Sequence, residues 1–200
     1  MSILWLVHVI PQEGTMLEQT RTAVAVRHAR LRDVPVLQTL IDQAVRGLMH
    51  HDYTPRQVDS AARYLFAVET RLIEDRTYYV AEVNGVLIGA GGWSRRHAFS
   101  SYEYGVSKNA EAYLDPRYDA ARIRAYFVHP AFARRGIARE LLATSEADAR
   151  SNGFWQTELI ASSTGVPLYE KAGYTALGEE SVTLTDGVTL TGLRMMKFLN

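Results

Sequence analysis

The chain has 200 residues, an apolar fraction of 47% and a formal net charge of zero, with 22 Lys and Arg against 22 Asp and Glu. That length fits one large domain or two small ones and leaves ample apolar material for a core; the charge balance argues against a protein whose main task is to hold nucleic acid or an anionic membrane. The absence of cysteine excludes a disulfide framework, a thiolate nucleophile and a cysteine-based metal site, and suits the cytoplasm without requiring it.

The apolar run Ile3 to Ile10 is too short to span a bilayer and lacks the flanking pattern of a signal peptide. Met16 opens a more typical domain start, so residues 1–21 read as a peripheral segment and 22–200 as a single domain. Thr22 to His28 alternates apolar and polar residues in the period of a strand, and Asp33 reads as the cap of a helix with Val36, Leu37, Leu40, Ile41 and Val45 on its apolar side. Thr54-Pro55 opens a second helix, with Val58, Ala62, Leu65 and Phe66 inward. Two apolar runs, Thr77 to Val83 and Val86 to Trp93, flank Asn84-Gly85, the strongest short hairpin signal. From Arg95 to Ala121 the periodicity breaks down, and connections of that length are usually functional or mobile. Basic residues outnumber acidic ones from Arg95 to Arg139, which predicts a local positive field. Arg122 to Val128 reads as a strand, Gly136 to Asn152 as a helix closed by Gly153, Trp155 to Ala161 as a strand, Val166 to Ala172 as a short helix closed by Gly173, and the remainder as two strands joined at Asp186-Gly187. The alternation predicts one mixed α/β domain.

Chemistry enters at Val128-His129-Pro130-Ala131-Phe132-Ala133-Arg134-Arg135-Gly136-Ile137-Ala138, where a strand runs out and a helix begins. The first N–H groups of a helix have no intrahelical acceptor and lie at the positive end of its dipole. A glycine there admits a phosphate close to the main chain, and two arginines add charge. Read alone, the segment fits either a phosphate site or solvated surface charge. A second motif, Leu168-Tyr169-Glu170-Lys171-Ala172-Gly173-Tyr174, follows one strand and one helix later. Together the two closely resemble the GNAT superfamily of acyl-CoA-dependent N-acyltransferases. The resemblance spans about Thr22 to Phe198 and is most specific from Arg122 to Tyr174.

The resemblance implies a central, mostly antiparallel mixed sheet, splayed at the cofactor strand and flanked by helices on both faces. It implies that the backbone of Arg134, Arg135, Gly136, Ile137, Ala138 and Arg139 holds the pyrophosphate of coenzyme A. The family's Gln or Arg at the start of this turn is Ala133 here, which removes one side-chain contact but leaves the amides. Phe127 and Val128 would pair with the pantetheine arm and present an N–H to the thioester oxygen, a contribution worth about 3 kcal/mol in other enzymes. Tyr169 would protonate the departing thiolate, a role worth about 10²- to 10⁴-fold in rate. Ser162 stands where the family often has an asparagine that touches the cofactor arm.

The acceptor side is less marked. Some family members carry a glutamate early in the cofactor strand; here Arg122 and Arg124 stand there, so the amine proton would leave through water to Glu103, His97 or His129, or the amine itself would have a low pKa. Arg95, Arg96, Arg122 and Arg124 read either as salt-bridged charge or as a fork for a substrate carboxylate. Trp93, Tyr102, Tyr104 and Tyr126 are candidate walls of an acceptor pocket, or core. With no Cys and no Ser/His/acid arrangement, the expected reaction is direct transfer of acetyl from acetyl-CoA to a primary amine in a ternary complex, without metal, nucleic acid or membrane. A small-molecule acceptor is favoured over a peptide or protein amine. A coenzyme A-binding regulatory module without turnover is the rival from another class. Homodimers are common in the family, but no residue here specifies an interface.

Overall fold

The computed structural model describes residues 24–100, 102, 103 and 107–199; the N-terminal segment and Tyr104 lie outside the described residues. Strand β1 (Ala25–His28) pairs antiparallel with β2 (Tyr78–Val83). Arg27 ties β1 to its surroundings by bridging Asp33 at 2.7 Å and Glu82 at 2.5 Å. Asp33 caps differently from expectation. Its carboxylate accepts from the Arg30 N–H at 2.8 Å and closes a 3₁₀ turn, Leu31–Asp33, ahead of helix α1 (Val34–Leu48). Leu37, Leu40, Ile41, Ala44 and Val45 are buried on α1 while Val36 is half exposed, so Ala44 takes the inward place expected of Val36. Helix α2 (Pro55–Ser60) begins with a reciprocal capping box between Thr54 and Gln57 and runs into one wide π turn, Ala61–Leu65. Helix α3 (Thr70–Glu74) is too short to leave a periodic signature, and sequence reading missed it.

Strand β3 (Val86–Ser94) returns from β2 through a turn with positive φ at both Asn84 and Gly85, the geometry that the Asn-Gly pair predicts. The segment from Arg95 onward is irregular but not structureless. It doubles back through backbone bonds from Leu114 to Arg95, His97 to Ala112 and Ala98 to Ala110, and Arg96 pins it to Asp75 at 2.9 Å. Then come β4 (Ala121–Val128), α4 (Ile137–Ser151), β5 (Gln156–Ala161), α5 (Val166–Lys171), β6 (Thr175–Thr183) and β7 (Thr189–Phe198). The strands form one sheet in the order β1-β2-β3-β4-β5-β7-β6, antiparallel except for the β4–β5 pair. Helix α4 packs Ile137, Leu141 and Leu142 into a core with Ile88, Trp93, Ile123 and Leu159. Helix α1 packs into two further clusters with Tyr78, Val80, Ala90 and Phe127. This is the expected mixed sheet with helical layers.

The feature that makes a site is the failure of β4 and β5 to stay together. They pair only at Ala121 with Thr157 and Arg122 with Glu158. Just beyond, one β3 residue between Ala90 and Gly92 faces two on β4 between Arg124 and Phe127, so the extra residue belongs to β4. Ala125 sits there at φ 61°, and such a bulge bends and twists the strand that carries it. The buried Tyr78 donates its hydroxyl to the Ala125 carbonyl at 3.1 Å, and the Tyr126 ring lies so close over Gly91 that a Cβ there would come within 2.6 Å of it. Two side chains therefore hold a backbone shape that costs about 1–3 kcal/mol in isolation.

Candidate active site

A cavity of about 830 Å³ occupies the opening between β4 and β5. Its floor at one end is the turn that the sequence singled out. After β4, Pro130–Phe132 forms one 3₁₀ turn, and α4 starts from Gly136 with φ 87°, preceded by Arg134 at φ 64°. Such left-handed positions turn main-chain N–H groups into a concave anion cradle, and here the cradle adjoins the N-terminus of a 15-residue helix. Gly136 has open space where a Cβ would stand. Arg134, Gly136, Ile137, Ala138 and Arg139 line the cavity, whereas Arg135 is outside the lining with its guanidinium 5.3 Å from the Phe132 ring.

Phe127 and Val128 line the same opening. The N–H of His129 bonds back to Ile88 of β3 at 2.9 Å. Successive N–H groups of a strand point to opposite edges, so that of Val128 faces the side where β5 has departed. The Phe127 ring belongs to the α1 core, meeting Phe66 edge-on at 5.5 Å. Tyr169 reaches the cavity from α5; it is 8% exposed, and burial pushes its phenol well above the ordinary tyrosine value. Its ring meets Tyr126 and Tyr174 edge-on at 6.3 and 5.6 Å. No group among the described residues hydrogen-bonds its hydroxyl. Ser162 lines the wall between β5 and α5, its carbonyl accepting from Gly165 and Val166.

The other end of the cavity is built from side chains. Glu103 lines it, held by the Phe99 N–H at 3.1 Å. Arg124 also lines it, but it is 4% exposed, ion-paired with the buried Glu69 and bonded to the Ala98 carbonyl at 2.6 Å. Breaking such a pair costs about 3–5 kcal/mol, which corrects the reading of Arg124 as a fork for substrate. Glu69, at the start of α3, is a cavity carboxylate that sequence reading missed; its partner is 55 residues away. Arg122 is committed to Glu158 at 2.5 Å and lies over the Phe99 ring at 4.2 Å. Burial pulls its guanidinium pKa down while Glu158 opposes the shift. Arg194 pairs with the other oxygen of Glu158.

Several candidates fall elsewhere. Trp93 is fully buried in the α4 core and donates its indole N–H to Asp148 at 2.7 Å; it does not line the cavity because α4 covers its face of β3. Arg95 stacks near Trp93 and reaches Asn152 at 3.3 Å, in a separate small recess. Tyr126 does line the cavity, but its hydroxyl is bonded to Ser145 at 2.7 Å and burial raises its pKa. The His129 ring accepts from the Ala131 N–H at 3.2 Å, and His97 contributes backbone bonds to Ala112 and Arg122; neither lines the cavity. Tyr102 donates to the Thr183 carbonyl at 3.3 Å.

The connection from α1 to α2, and α2 itself, are fastened to β7, its turn and the start of α5. Tyr53 donates to the Thr191 carbonyl at 3.2 Å and accepts from the Ser163 N–H at 3.0 Å. Gln57 reaches the Thr189 carbonyl at 3.1 Å, Ser60 reaches Asp186 at 2.9 Å, and Thr164 donates to Asp52 at 2.6 Å. Among the described residues no group of three or more His, Cys, Asp or Glu is placed to hold a metal, and no helix is long and apolar enough to cross a membrane.

These features match known proteins. Among solved structures the chain is similar to a GCN5-related N-acetyltransferase from Rhodopseudomonas palustris, at 21% identity over 88% of this chain and 95% of that one, with a TM-score of 0.68. It is similar to yncA, a putative acetyltransferase from Salmonella typhimurium solved with acetyl-CoA, at 20% identity over 89% and 95% of the two chains and a TM-score of 0.60. It is also similar to the ribosomal-protein-S18-alanine N-acetyltransferase of Escherichia coli, at 13% identity over 89% and 95% and a TM-score of 0.54. At these identities the likeness establishes the fold alone. No curated protein matches the chain. The model of the acetyltransferase (GNAT) domain matches residues 49–197, well over half of the chain, and the protein therefore belongs to the GNAT acetyltransferase family.

Proposed function

We propose that the protein transfers acetyl from acetyl-CoA to the primary amine of a small molecule, in a ternary complex. The observation that carries this reading is a single cavity in which the main-chain cradle at Gly136, the unpaired edge of β4 and the Tyr169 hydroxyl meet. The residues fit a coenzyme A thioester: backbone amides and two arginines for the pyrophosphate, a strand edge left without a partner for the amide-bearing arm, and a buried phenol near the far end. When bound, the thioester supplies the acyl group and a thiol leaving group. Arg134, Gly136, Ile137, Ala138 and Arg139 would hold the phosphates, with Arg135 adding charge from outside the lining. Phe127, Val128 and Ser162 would hold the arm, and the Val128 N–H would stabilise negative charge on the acyl oxygen. Tyr169 would give its proton to the thiolate; burial disfavours the phenolate and so keeps that proton on the ring oxygen until the thiolate forms.

A small acceptor is favoured over a peptide by the fastening of Tyr53, Gln57 and Ser60 to β7 and its turn, since an extended chain entering between these elements would have to break those bonds. Calorimetric titration with coenzyme A, followed by thiol release from acetyl-CoA with a panel of amines, tests the reading. Binding with turnover supports it; binding without turnover on any amine selects a coenzyme A-binding regulatory module instead.

A further inference from the structure

We infer that the acceptor is an amine carried on an apolar, aromatic-sized body that bears no carboxylate, and that Glu103 receives its ammonium. This rests on the acetyl-transfer reading above and names the substrate class of the same cavity. The acceptor end is walled by Met49, Leu65, Phe66, Phe99, Phe127 and Leu190, a surface that rewards an apolar body of ring size over a chain of charges.

Near that wall, among the described residues, the arginines are matched by other carboxylates and Glu103 is paired with no cation. Arg124 is matched by Glu69. Arg122 and Arg194 share Glu158, and Arg194 lies 3.5 Å from Glu180. Glu103, within electrostatic reach of Arg122, has no Lys or Arg paired with it among the described residues and is held only by a neutral N–H. Beside Glu103 a substrate carboxylate would have to take Arg124 from Glu69 or Arg122 from Glu158, whereas an ammonium meets a carboxylate that no cation holds. In the transfer the nitrogen bonds to the acyl carbon as the C–S bond breaks. The ammonium loses two protons: one goes to Glu103 and on to solvent, the other replaces the proton that Tyr169 gives to the thiolate.

The experiment compares 2-phenylethylamine, phenylalanine, spermidine and an Ala-initiated tripeptide by thiol release. The expected result is a kcat/KM for 2-phenylethylamine at least ~10-fold above the other three. Glu103→Gln should lower it by about 10- to 100-fold, mainly through KM, with the coenzyme A Kd unchanged by calorimetry, which also shows that the variant is folded. Preference for phenylalanine, spermidine or the tripeptide, or an unchanged KM in a folded Glu103→Gln variant, overturns the inference while leaving acetyl transfer standing. Absence of coenzyme A binding, or binding without thiol release from any amine, overturns both.

Discussion

The two ends of the cavity are made of different material. The end at Gly136 is main chain: the amides ahead of α4, two left-handed residues, and a strand edge exposed because β4 bulges at Ala125 and parts from β5. The end at Glu103 is side chain, assembled from α1, α3, β4, β7 and the long excursion after β3. A backbone site tolerates exchange of side chains, which is why Ala133 in place of a polar residue leaves the cradle intact. A side-chain site owes its selectivity to pairs such as Arg124 with Glu69, and changes character with each substitution.

Mutations that separate the two ends test this contrast. Tyr169→Phe, at the junction, should have the largest effect: kcat is expected to fall about 10²- to 10⁴-fold with the coenzyme A Kd unchanged. Unchanged turnover would remove Tyr169 from the chemistry. Because burial raises the phenol pKa by disfavouring the phenolate, the wild-type kcat should show no alkaline loss from this group until the pH passes the ordinary tyrosine value near 10. Arg124→Gln leaves Glu69 buried without its guanidinium and should cost about 3–5 kcal/mol by urea unfolding. The double variant with Glu69→Gln should recover much of that; if it does not, the pair is not the source of the cost.

At the backbone end, Gly136→Ala forces a Cβ onto a residue at φ 87°, at a cost of about 1–2 kcal/mol. The expected readout is roughly a tenfold weaker coenzyme A Kd, with little change in the acceptor's KM. Tyr53→Phe removes both hydrogen bonds of that hydroxyl, to the Thr191 carbonyl of β7 and from the Ser163 N–H, and should cost about 1–2 kcal/mol in stability. It should raise the acceptor KM a few-fold while sparing coenzyme A binding. An effect on coenzyme A instead would blur the division between the ends.

Much of the backbone end was legible as local structure because its signals are local. Proline, Arg-Arg-Gly and an apolar helix lie within a few residues of one another, and Leu168 to Tyr174 repeats that compactness one strand later. The acceptor end was not, and the misreadings share a cause. Trp93, Arg95 and Arg124 stand out in sequence by residue type and by their place near the irregular segment, yet the fold turns Trp93 into the α4 core, sends Arg95 toward Asn152 and matches Arg124 with Glu69. Glu69 itself carried no signal beyond being an acid in an apolar stretch. On α1 Val36 is half exposed and Ala44 is buried, because helical period alone does not say where the buried stripe ends.

The sequence by itself determined the order of the strands and of the helices other than the short α3, the Asn-Gly and Asp-Gly turns, and the helix start at Gly136, since these depend on periodicity and on the φ preferences of neighbouring residues. Only the tertiary structure decided where β4 parts from β5, which carboxylate neutralises which arginine, and which aromatics face the cavity rather than the core. Those outcomes are set by contacts between residues tens of positions apart, where burial and charge matching outweigh local preference.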